Sequence, residues 1–191
     1  MALRLVIKKI LPFILIYLLL IITSVFLHVL VHTSDYKWLL RYLGIAGTFL
    51  IILSSIYSLR KRKLINFGKA KLLLQIHEAM AWSGSLLILI HAGFEFDSVI
   101  PRMAVFAMLI VVASGITGKY LLKQAKNSLK EKRAELTEKN LPENEIEREL
   151  FTLSLITDKI QKWRTVHIPL TLILAAFGLL HIITILLFWE W

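Results

Sequence analysis

Cysteine is absent from the 191 residues. That excludes disulfides, iron–sulfur ligation by this chain and thioether-linked haem. Carboxylates are scarce in its apolar stretches, with Glu78 standing alone there among 13 Asp and Glu. No glycine-rich dinucleotide fingerprint, internal repeat or low-complexity segment occurs. What is present in excess is apolar surface: 57% hydrophobic residues and a mean hydropathy of +0.70. A soluble core in a chain this short could not hide so much. The expected class is an all-α integral membrane protein, one compact bundle over 1–191.

A spanning helix needs about 20 mostly apolar residues. Five segments qualify, at 10–31, 38–59, 72–94, 101–122 and 166–188. The first follows Arg4, Lys8 and Lys9, as a signal peptide would. It is too long for one and no small-residue cleavage site follows, so it reads as a retained helix. The net charge of +10 reports orientation rather than nucleic-acid binding, because no nucleic-acid-binding fold accompanies it. Of 23 Lys and Arg, only Lys37, Arg41 and Arg102 fall on one side of the five spans. The N-terminus is therefore expected in the cytoplasm and the C-terminus outside. Trp189 and Trp191 would anchor at the outer interface and Trp163 at the inner one.

The long connection 123–165 reads as a cytoplasmic helical hairpin. Its first arm is a polar extension of the fourth span. Asn140, Leu141 and Pro142 interrupt it, and Pro142 suits the first turn of the next helix. Ile146, Leu150, Leu153 and Ile160 fall on one face of the second arm. The hairpin either packs on its own bundle or offers a docking surface to a soluble partner.

Two spans carry paired histidines: His77 and His91 in the third, His167 and His181 in the fifth. Fourteen positions separate the members of each pair. That is a rise of about 21 Å, with a return to within about 40° of the same face. The two spans are separated by one full span, so they run parallel. His77 and His167 share the inner depth, and His91 and His181 the outer. Histidines facing each other across two helices can ligate one haem iron from both sides, so the pattern suits two stacked b-type haems. A lone intramembrane histidine is often a helix–helix hydrogen-bonding residue, but four at matched depths are better explained as ligands. Zinc suits the pattern less well, because its ligands must lie close together.

Small residues fit a porphyrin between helices, or ordinary helix packing. They are Gly84 at the midpoint of the first pair, Gly44 and Gly47 in span two, Ser114, Gly115 and Gly118 in span four, and Ala175 and Gly178 in span five. Arg41 and Arg102 outside, with Lys71 and Arg164 inside, could pair with haem propionates or anchor the interface. His28 and His32 share a face at the outer end of span one. They could line a quinone pocket, bind a metal or touch headgroups. Glu78 could accept a quinol proton or be a hydrated interface carboxylate. Glu95 and Asp97 in an outer loop could contact a partner or a cation, or simply be solvated.

His77, His91, His167 and His181 make residues 38–188 resemble a ferric reductase-like transmembrane domain, within a broader likeness to dihaem cytochromes b. The resemblance implies that these four positions ligate two b-type haems carrying electrons across the membrane. Family members commonly have six spans, whereas five are expected here. Many continue into a flavin and nicotinamide domain, whose fingerprint this sequence lacks. Electrons are therefore expected to pass to or from quinol, or a separate flavin, iron–sulfur or multihaem subunit. The expected setting is a prokaryotic cytoplasmic membrane. The rival readings are a histidine-based metal-ion transporter and a structural membrane anchor.

Overall fold

The computed structural model describes residues 2–93 and 98–188. They form six helices: α1 (Ala2–His32), α2 (Leu39–Ser54), α3 (Ile56–Lys61), α4 (Ala70–Ala92), α5 (Val99–Glu138) and α6 (Glu143–Phe188). No strand occurs among the described residues. Five stretches are long and apolar enough to cross a membrane: Ile14–His32, Leu39–Lys61, Ala70–Ala92, Val99–Ile116 and the apolar part of Glu143–Phe188. Glu95, Asp97, Trp189 and Trp191 lie outside the described residues, as do the side chains of Arg4, Lys8, Lys9, Trp163 and Arg164.

The chain divides into two units, Met1–Met108 and Leu109–Trp191, with the boundary inside α5. In the first, α4 packs against α1, α2 and α3. The pairing of α2 with α4 is antiparallel. Leu40 meets His91, Gly47 meets Gly84, and Ser54 meets His77. The two glycines bring the backbones together, since a Cβ on Gly47 would stand 2.8 Å from the Gly84 carbonyl oxygen.

The expected span 38–59 corresponds to the apolar helix Leu39–Lys61, with a local irregularity at Ser55 between α2 and α3, where the backbone stays helical. The hydroxyls of Ser54 and Ser55 both turn back to the Ile51 carbonyl, at 2.7 and 3.4 Å. The Ser54 carbonyl accepts instead from His77. Side chains entering the backbone ladder are an ordinary cause of such an irregularity. α3 ends at Lys61, and Lys63 just beyond it is held at φ 61°. Leu64 N–H reaches Leu59 O and Lys63 N–H reaches Arg60 O, the paired bonds that close a helix through a left-handed residue.

The second unit contains the hairpin. α5 runs on past its apolar part to Glu138, and Asn140 turns the chain at φ 53°. Leu141 N–H bonds to Leu136 O and Asn140 N–H to Thr137 O. Leu141 packs on the cluster of Leu136, Ile146 and Leu150, the apolar contact that usually accompanies this ending. Pro142 directly precedes α6, and its carbonyl accepts from Glu145 and Ile146 N–H. Arg133 pairs with Glu143 across the turn. On the surface, Glu135 lies 3.0 Å from Lys132 and 2.7 Å from Lys139. These two ammonium groups pull its carboxyl down to about 2, and the Glu135 carboxylate in turn raises the ammonium pKa of Lys139.

Candidate functional site

The four expected ligands fall two in each unit. In the first, both sit on α4, and each reaches a different end of α2. Near the start of α4, His77 Nδ1 lies 2.9 Å from the Ser54 carbonyl oxygen. Near its end, His91 Nδ1 lies 2.9 Å from the Leu40 carbonyl oxygen. Leu40 and Ser54 are themselves fourteen residues apart, and Gly47 is their midpoint as Gly84 is of the histidines. The spacing on α4 is thus mirrored by the spacing of the acceptors on α2.

A carbonyl oxygen can only accept, so Nδ1 must carry the proton in both rings. Nε2 then bears the lone pair. A ligating histidine ordinarily donates its other nitrogen to a carbonyl or carboxylate, which fixes the tautomer and the ring plane. In the second unit, His167 Nδ1 lies 3.2 Å from Ser114 Oγ. A hydroxyl can donate or accept, so this contact orients the ring and permits the same tautomer. Both His167 and His181 stand on α6, which continues through Pro169.

The glycines divide into distinct roles. Gly44 makes room for the His91 ring, because a Cβ there would lie 2.8 Å from both Cγ and Cδ2. Gly47 and Gly84 are used in backbone contact with each other. Gly115 is ordinary contact distance from His167, with 3.6 Å from its Cβ position to Cε1. A Cβ on Gly178, three residues before His181, would meet nothing within 4 Å. Gly118 is half-buried on α5. The charged candidates Arg41, Arg102 and Lys71 are exposed.

His28 is buried, at 8% exposure, and its Nδ1 lies 2.7 Å from the Ile90 carbonyl oxygen of α4. His32 stacks on it with ring centroids 5.6 Å apart. At the other end of α4, the Tyr57 ring stands 5.5 Å from that of His77. Glu78 is half-buried beside it. Among the described residues no group of three or more His, Cys, Asp or Glu is arranged to hold a metal ion.

Reading the residues in sequence found the histidines but not their partners. Leu40 and Ser54 act through backbone carbonyls, which carry no residue signature. Ser114 entered only as a small residue. Tyr57, on α3, has no periodic signal linking it to His77. Comparison with protein-family models, curated proteins and solved structures finds no match for this chain.

Proposed function

We propose that the chain is a dihaem b-type membrane cytochrome, the electron-carrying subunit of a larger quinone-linked oxidoreductase. His91 and His181 would ligate one haem, and His77 and His167 the other. The observation that carries this reading is the capture of Nδ1 in His77 and His91 by backbone carbonyls. It puts the lone pair on Nε2 of two rings of one helix, the tautomer in which an imidazole binds a metal through Nε2. The imidazole donor set suits a haem iron, which needs two axial ligands rather than a cluster.

Haem supplies one-electron chemistry, and the protein supplies ligands, spacing and a low-dielectric surround. α2 holds each α4 imidazole by its Nδ1 proton, which would fix the ring plane for a bound haem. Ser114 steadies His167 from α5. Arg41, directly after Leu40 in sequence, is the first candidate to meet a propionate beside His91. Glu78, next to His77, is the candidate proton acceptor for a quinol. The side rich in Lys and Arg, with the hairpin, faces the cytoplasm and there meets the redox partner subunit.

A reduced-minus-oxidised spectrum with a haem count on purified protein tests the proposal. Two b haems per chain are expected. A folded protein made with ample haem that contains none overturns it.

A structural anchor is the second reading, and one observation favours it. The same Nδ1 bonds would staple α2 to α4 without any cofactor. It requires that the protein be colourless and that replacing His77 or His91 harm helix packing alone.

A further inference from the structure

α4 ends at Ala92, so its last carbonyls lack partners within the helix. Gly93, at φ 53°, turns the chain, and its N–H bonds to Leu89 O at 3.1 Å. The next carbonyl, that of Ile90, accepts from His28 Nδ1 of α1. The Ile90 carbonyl belongs to the peptide unit whose nitrogen is that of His91. Its hydrogen bond therefore holds the peptide plane on which His91 is mounted.

His28 is built into this position from several sides. Its ring fills the space a side chain at residue 93 would need, with Cε1 and Nε2 overlapping the Gly93 Cβ position. His32, one turn further along α1, stacks on it at an interplanar angle of 28°. A buried carbonyl oxygen again forces the proton onto Nδ1. His91 is consequently held twice: its ring by the Leu40 carbonyl, and its backbone by His28. At His77 the structure offers an aromatic neighbour, Tyr57, on the ring itself.

We propose that His28 is a positioning residue for the His91 haem ligand, acting through the Ile90 carbonyl and not as a ligand or quinone contact. This rests on the dihaem reading. Replacing His28 disturbs one haem and spares the other.

The test uses the full chain, loaded with haem, as wild type, His28→Leu and His28→Asn. Leu fills much of the ring volume without a donor. Asn places an amide donor near the position of Nδ1. Low-temperature electron paramagnetic resonance and a redox titration read the two haems separately, and His91→Leu identifies which signal belongs to His91. In His28→Leu, the His91 signal should shift in g value and its haem should be retained about tenfold more weakly, the scale of a lost outer-shell partner. The His77 signal should stay in place, and His28→Asn should restore the His91 signal towards wild type. Equal changes in both haems, no change in either, or no recovery in His28→Asn overturns the assignment. A wild-type protein without haem instead overturns the dihaem reading itself, so the two failures are told apart.

Discussion

The two ends of α4 carry the same side chain with the same kind of bond, yet they are built differently. At the His91 end, every support is close and specific. Gly44 admits the ring, Leu40 takes its proton, and His28 caps the peptide behind it. At the His77 end, the acceptor is the last carbonyl of α2, at the irregularity before Ser55, and Tyr57 lies against the ring. One histidine rests on a regular helix that a glycine has thinned. The other bonds at a local irregularity in the helix. Bonding alone is therefore a poor guide to how tightly an imidazole is held, because the backbone behind the acceptor decides how far it can move.

The strongest way to break this comparison is to remove each α4 histidine in turn. Under the dihaem proposal, His91→Leu and His77→Leu should each reduce haem content from two per chain to one, with different signals lost from the spectrum. Loss of both haems in either variant would show that the ends do not act separately.

Glycine substitutions sharpen it. Gly47→Ala puts a methyl 2.8 Å from the Gly84 carbonyl oxygen. Backbone cannot swing aside, so thermal stability should fall by an amount near the upper part of the overpacking range of about 1–3 kcal/mol, with both haems affected. Gly44→Ala meets the His91 ring instead, at 2.8 Å. A ring can shift by a few tenths of an ångström, so the loss should sit nearer 1 kcal/mol, about the lower limit for overpacking. The spectral change should be confined to the His91 haem. Thermal melts followed by haem absorbance measure both.

The smallest effect lies in the hairpin, away from either end. The Glu135 carboxyl is held at about 2 by Lys139 and Lys132. A depressed carboxylate pKa contributes stability that is present above the unfolded value and lost as pH falls towards the folded one. The hairpin should therefore weaken slightly between about pH 4.5 and 2, and Glu135→Gln should flatten that slope. Exposed pairs are heavily screened, so acid titration by circular dichroism at low salt is the sensitive measurement. Haem signals should be indifferent to the substitution.

Much of the architecture was legible before any coordinates. Apolar runs of spanning length marked the helices, and Asn140-Leu141-Pro142 marked the hairpin turn, because helix length and turn chemistry are local properties. The same reasoning places 38–59 in one span, but the irregularity at Ser55 is not legible there, because the bond from His77 to the Ser54 carbonyl comes from another element. Gly84 stood at the midpoint between the histidines, but its contact with Gly47 depends on the register of two helices.

The sequence by itself determined helix class, apolar spans and the fourteen-residue histidine spacing, since these follow from composition and from the fixed rise and pitch of a helix. Tertiary structure decided which carbonyl each α4 histidine and His28 takes, hence which nitrogen is protonated. Every residue carries a carbonyl, so no side-chain pattern singles out Leu40, Ser54 or Ile90. Only the packing of one helix against another makes those three acceptors different from the rest.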